Sequence, residues 1–355
     1  MELDNHLIYI DITQICGIGC KFCMYSDKHA IKDHLVLTEK AKINISKLIN
    51  NKEVKRVSIS GEGEPLNNIK AFKEILLLSK GGVRFEFITS GYIAHPELIT
   101  LYDDINKIII KNGDTCNIRL STDSYHIPKI KNKPHAVSIK YFLENNLKNM
   151  TFSFRSIDID KEFTRNYLIE ELNKIGLDAK VQINDILEDV LLVGDKSFSI
   201  DYKNLVKPTF LENIKYMTLK EYIQSKEEKQ NRPFTLGNMN KFPLPNGMDI
   251  TIKPNGNVYF YGIDSHLLAN INIDILSIDF FKKIINTNIL IKTLHTVPFL
   301  NLMDRISINK EIVALIENAN NPYWVIKEIL KYDKNLLNKI IISEKKINID
   351  MAMND

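Results

Sequence analysis

Along the first half of the chain, short apolar runs rich in β-branched residues alternate with longer stretches whose apolar positions recur at helical spacing. Leu7-Ile8-Tyr9-Ile10-Asp11-Ile12 reads as a buried strand, and Lys55–Ser60, with Val57 and Ile59, as a second. Val83–Thr89, Asn117–Thr122, Met150–Arg155 and Ala179–Ile183 continue the series. Between them, Thr38 is placed to cap a helix running through Leu48 and Ile49. Residues 69–80 have helical spacing and end at Gly81-Gly82, a C-cap signal. Pro96 suits the first turn of the next helix, and the span 160–174 precedes Gly176. Six β–α alternations predict a parallel sheet with right-handed crossovers, curled into a partial (β/α)6 TIM-like barrel.

After residue 185 that rhythm stops. Val190–Val193, Gly194-Asp195 and Ser197–Ile200 predict a hairpin. Residues 219–232 are charged and helical in pattern. Met248–Lys253, the turn Pro254-Asn255-Gly256-Asn257, and Val258–Tyr261 form the clearest hairpin signal in the chain. Residues 277–341 look helical, with a break at Asn320-Asn321-Pro322. The expected organisation is an α/β barrel over 1–185, a smaller α+β extension over 186–342 that covers the active site, and a frayed tail over 343–355.

The chain has 355 residues, of which 44% are hydrophobic and 26% charged, so it can fill a sizeable core. A net charge of +3 with both signs interleaved gives no sign of a nucleic-acid partner. Nowhere do 18 apolar residues run together, and Met1-Glu2-Leu3-Asp4-Asn5 lacks a secretory pattern. A cytoplasmic protein with no membrane partner is the expectation.

There are four cysteines, and Cys16, Cys20 and Cys23 fall within the eight residues of C-x3-C-x2-C. In a reducing compartment such clustering points to metal ligation or redox chemistry. Three thiolates on one short loop suit a soft, sulfur-seeking centre, and Gly17 and Gly19 let the backbone bend round it. The loop follows a strand, at the end where α/β proteins keep their chemistry. Structural zinc, completed by Cys116, His29 or His34, is the alternative, although such sites usually take paired ligands.

This arrangement resembles the radical SAM superfamily, whose signature is C-x3-C-x-Φ-C after the first barrel strand. Phe22 occupies the aromatic position and is expected beside the nucleoside. The resemblance implies that the three cysteines hold one 4Fe-4S cluster and leave one iron free to chelate S-adenosylmethionine. Gly61-Glu62-Gly63-Glu64-Pro65 follows the second strand and is similar to the family's G-G-E-P motif, which meets the methionyl amine. Gly63, Glu64 and Pro65 match, whereas Glu62 stands where the family has glycine. The likeness covers roughly residues 5 to 185.

On a parallel barrel, residues at C-terminal strand ends face the site. That rule selects Thr89, Ser90 and Gly91 after the third strand, and Ser121 and Asp123, suited to ribose hydroxyls, after the fourth. It also selects Arg155, a planar donor suited to a carboxylate, and Gln182 and Asn184 after the sixth strand. Tyr125 and His126 are the candidates for hydrogen donation or acid–base work. Cys116 begins the fourth strand and is read as an inert packing thiol. The hairpin over 248–261 is similar to the one that opens the SPASM or twitch extensions of this superfamily, with Tyr261-Gly262 in place of the expected cysteine.

The resemblance implies reductive cleavage of S-adenosylmethionine to a 5′-deoxyadenosyl radical that takes hydrogen from a substrate. It also implies an electron donor of flavodoxin or ferredoxin type. A chain without auxiliary clusters fits a small molecule (a sugar, nucleotide or natural product). Epimerisation or cross-linking of a ribosomally made peptide is the second reading. A non-catalytic zinc or iron–sulfur module is the reading of another class.

Overall fold

The computed structural model describes residues 5–20, 23, 33–184, 188–203, 217–235, 247–261, 263, 264, 266–307, 310–318 and 325. Strands β1 (His6–Asp11), β2 (Val54–Ser60), β3 (Arg84–Thr89), β4 (Thr115–Ser121) and β5 (Met150–Ile157) lie side by side in chain order. Every neighbouring pair among them is parallel. Helices α1 (Glu39–Ile49), α2 (Ile69–Leu77), α3 (His95–Asn112), α4 (His135–Asn145) and α5 (Lys161–Asn173) make the crossovers. Thr38 caps α1 by accepting from the Ala41 amide, and Gly113 ends α3 at φ +73°.

The sixth parallel strand is not the one expected from the sequence. Strands β6 (Ala179–Gln182) and β7 (Asp189–Val193) form an antiparallel pair at the sheet's edge. It is β8 (Lys196–Lys203), the second arm of the predicted hairpin, that pairs parallel with β5. Burial explains the exchange: β6 buries only Ala179 of its four residues, whereas β8 buries Phe198 and Ile200. Gln182 and Asn184, expected at the barrel mouth, therefore sit on or beside the edge strand.

On the other side, β9 (Asp249–Ile252) pairs parallel with β1 and continues into β10 (Asn257–Phe260) and β11 (Ala269–Asn270), both antiparallel. The sheet runs β11-β10-β9-β1-β2-β3-β4-β5-β8-β7-β6, and its two ends are not hydrogen-bonded to each other. It thus spans both sides of residue 185. The C-terminal part continues with α6 (Leu219–Gln230), α7 (Ile278–Thr287), α8 (Ile289–Thr296), α9 (Phe299–Ile306) and α10 (Lys310–Asn318). Buried Asn44 of α1 pins the segment after β11: it donates to the Ile271 and Asp274 carbonyls and accepts from the Leu276 amide. Phe22, His29 and the tail from Ser343 lie outside the described residues.

Alternation along the strands separates two faces. Ile10, Ile59, Phe87, Ile118 and Phe152 form one in-register row on the helix side, where Phe87 stacks on Phe72 of α2 at 4.0 Å. Cys116 belongs to this face and is 1% exposed, at the opposite end of β4 from the cysteine loop. Burial pushes its thiol well above the usual range. It is a packing residue and cannot complete a zinc site with the loop. The opposite face is polar. Tyr9, Ser58, Glu86 and Asn117 form one row, and Ser121, Arg155 and Asp201 another. The sheet is strongly curved toward this face. Arg155 on β5 lies within electrostatic reach of Tyr9 on β1, strands that a flat sheet would hold roughly 19 Å apart.

Candidate active site

The segment after β1 and the turn after β2 are docked backbone to backbone. Ile12 donates to the Ser60 carbonyl at 3.0 Å, Gly63 to Thr13 at 3.0 Å, and Glu64 to Ile15 at 2.9 Å. Asn67 and Asn68 add side-chain bonds to the Ile15 and Ile12 carbonyls, each at 2.8 Å. The approach is so close that a Cβ on Gly63 would lie 2.3 Å from the Ile15 oxygen. Cys16 follows directly, so this docking fixes where the cysteine loop begins. Cys16, Cys20 and Cys23 are half-buried and form no disulfide, and the Cys23 amide donates to the Cys20 carbonyl at 3.1 Å.

Glu64 is 4% exposed and organises the neighbouring strand end. Its carboxylate accepts from the Leu66 amide at 3.1 Å, the Thr89 hydroxyl at 2.5 Å and the Ser90 amide at 2.9 Å. Ser90 Oγ and Gln14 Oε1 are buried at this mouth without a hydrogen-bond partner among the described residues. A polar ligand would satisfy both.

The loop after β4 closes on the cysteines from the other side. Asp123 accepts from the Tyr125 and His126 amides and from His126 Nδ1 at 2.7 Å. The second ring nitrogen of His126 lies 3.1 Å from Cys20 Sγ, and Lys129 donates to the Gly19 carbonyl. Burial opposes charge on His126, but its bonds to Asp123 and Cys20 outweigh that and push it up to about 10. His126 is thus beside the cysteine loop, with Tyr125 its neighbour in the chain, and Asp123 holds the turn that carries both. The Ser121 carbonyl meets His135 Nε2 at 3.0 Å.

Two groups emerge that local sequence did not reveal. Glu62, standing where a glycine was expected, accepts from Gln14 at 2.8 Å and from Lys253 at 2.7 Å. Lys253 follows β9 and also pairs with Asp11 at 3.0 Å and Asp264 at 3.2 Å. Burial pushes Asp11 up to about 6 against the pull of Lys253. For Lys253 burial opposes the charge, but Asp11, Asp264 and Glu62 outweigh it and hold the ammonium well above its usual range. This cluster ties the C-terminal hairpin to the barrel mouth. Lys253→Met would leave Asp11 and Glu62 facing each other without their cation. We expect a loss of about 3–5 kcal/mol in urea unfolding, as for one broken partner of a buried pair.

Deeper in the barrel, Arg155 donates through Nε and Nη2 to both Asp201 oxygens. Arg119 pairs with Glu86 at 3.1 Å, and Ser58 donates to the same carboxylate. Burial raises Glu86 and Asp201, but the arginines outweigh it and hold both below the usual carboxylate range. Arg155 therefore carries its own counter-ion.

Residues 10–156 match the family model of the Radical SAM superfamily. That stretch of the chain is a radical SAM domain, the domain of a radical SAM enzyme. A comparison with curated proteins gives no match. Among solved structures it is similar to anSMEcpe with bound AdoMet, at 14% identity and TM-score 0.48 over 96% of this chain and 99% of that one. It is also similar to BtrN in complex with AdoMet and 2-DOIA, at 12% identity and TM-score 0.44 over 85% and 91%.

The family implies a 4Fe-4S cluster and S-adenosylmethionine. The residues present fit both: three soft thiols share one loop, and orphaned polar atoms flank it. Among the described residues, no helix is long and apolar enough to cross a membrane.

Proposed function

We propose that the protein cleaves S-adenosylmethionine reductively at one 4Fe-4S cluster held by Cys16, Cys20 and Cys23, and takes hydrogen from a small-molecule substrate seated in the polar barrel interior. The observation that carries this reading is the docking of the cysteine segment onto Gly61–Glu64 beside a polar, curved sheet face. When bound, the cluster supplies the electron for cleavage. Gly63, Glu64 and Ser90 line the methionyl end, with Ser90 Oγ free to bond to it. Ser121 and Asp123 stand at the end of β4 toward the ribose. His126 holds Cys20 in place, and Tyr125 next to it is the candidate hydrogen donor. Arg155, clamped by Asp201, forms a wall of the substrate chamber. A flavodoxin- or ferredoxin-type protein is the expected reductant, and the cytoplasm the expected setting.

The test is anaerobic reconstitution followed by S-adenosylmethionine and dithionite, with 5′-deoxyadenosine measured by mass spectrometry. We expect 5′-deoxyadenosine in excess of a cluster-free control. One zinc and no iron per chain would overturn the reading in favour of a non-catalytic module. Hydrogen transfer from a peptide and from no small molecule would move the substrate assignment to peptide modification.

A further inference from the structure

The inner face of β8 carries Asp201 and, two residues on at the C-terminal end, Lys203. Asp201 is already clamped by Arg155, and Glu86 by Arg119, so these four groups balance one another. Lys203 has neither a hydrogen-bond nor an ion-pair partner among the described residues. It feels Arg155 and Lys226 as like charges, and Cys23 of the cysteine loop as an opposite one. Lys226, from α6, lies over the Tyr222 ring at 5.4 Å. The carboxylate within its electrostatic reach is Asp201, which Arg155 holds. Neither ammonium makes an ion pair among the described residues, and Lys203 lies within electrostatic reach of Lys226, Arg155 and Cys23. Burial, together with Arg155, pushes Lys203 down to about 8, and burial, Lys229 and Arg155 push Lys226 below its usual range. An arrangement of this kind is costly in the empty protein and is relieved by an anion.

Resting on the function proposed above, we infer that Lys203 and Lys226 form an anion subsite, so that the substrate carries a carboxylate or phosphate group directed at β8 and α6. The Lys253 cluster, with three carboxylates to one ammonium, would repel such a substituent. A substrate with its anion on β8 presents its remaining carbons to the space beside Cys23.

The test uses the full chain, reconstituted without oxygen, and calorimetric titration with inorganic phosphate and with succinate, each with and without S-adenosylmethionine. We expect one of these probes to bind, and Lys203→Met to weaken it about tenfold or more, as loss of a charge-assisted bond should. Lys203→Arg should keep most of the affinity, and Lys226→Met should lower it independently. Lys203→Met removes an unpaired charge, so its melting temperature should not fall. Failure of both probes to bind the unmodified protein, or equal binding to the variants, would overturn the subsite. A matching loss of S-adenosylmethionine affinity in Lys203→Met would also overturn it, by giving the ammonium to the methionyl carboxylate. Cleavage to 5′-deoxyadenosine is measured on the same samples. Anion binding that depends on Lys203 without any cleavage would sink the proposed reaction and leave the subsite standing.

Discussion

Serine at any one of Cys16, Cys20 or Cys23 should strip the protein of its iron, and with it all cleavage of S-adenosylmethionine. Serine preserves the size of the side chain but replaces a soft thiolate with a hydroxyl that does not ionise at neutral pH. The three thiols share one short loop, and the fourth cysteine cannot substitute. Cys116 begins β4 on the helix-facing side, about 16 Å of strand from the mouth, and is 1% exposed. Cys116→Ser therefore serves as the control. It should retain full iron content while losing about 1–3 kcal/mol for burying an unsatisfied hydroxyl. Iron by colorimetric assay and the iron–sulfur absorbance check both arms. Undiminished iron in a Cys20→Ser protein would refute the ligand assignment.

How much of this was legible in the sequence depends on whether the cause is local. Strands β1 to β5 were readable because each buries one row of apolar residues on the helix side, and Thr38 marks a helix start by local geometry, whereas α2 ends at Leu77, before the Gly81-Gly82 signal. The cysteine loop and the Gly63-Glu64 turn were readable because their chemistry lies in spacing. The sixth strand was not, because Ala179–Gln182 and Lys196–Lys203 both carry strand signals. The choice between them turns on which one buries Phe198 and Ile200 beside Phe154. Tertiary packing settles that, and propensity cannot.

The same distinction runs through the site. Arg155 looked like a free donor for a carboxylate, but its counter-ion Asp201 is 46 residues away and meets it only through β5–β8 pairing. Glu62 looked like a departure from the family motif with an open backbone consequence. Its partner Lys253 is 191 residues distant, brought in by the parallel pairing of β9 with β1. Departure and compensation thus belong together: an acidic side chain in the turn is matched by a lysine from the hairpin that covers it. Asn67, which bonds the Ile15 carbonyl and accepts from Tyr92, could have been flagged as a polar residue just past the motif.

Gly63→Ala should be the most damaging alanine substitution among the described glycines. Its Cβ would lie 2.3 Å from the Ile15 oxygen and 2.6 Å from the Gln14 carbonyl carbon, where real Cβ contacts essentially never fall below 3.0 Å. The obstructing atoms are backbone, so no side chain can rotate away. The two segments must separate, which stretches the Gly63–Thr13 and Glu64–Ile15 bonds and shifts the start of the cysteine loop. Glu64 would be drawn from Thr89 and Ser90 at the same time. Overpacking of this kind costs about 1–3 kcal/mol, and the functional loss should exceed it because the site depends on sub-ångström docking. We expect weaker S-adenosylmethionine binding by at least about tenfold, read by anaerobic calorimetry, with reduced iron incorporation. Gly17→Ala is the steric comparison within the cysteine loop itself, since its Cβ would meet no protein atom within 4 Å. Equal S-adenosylmethionine affinities in the two variants would show that the docking of the two segments does not build the site.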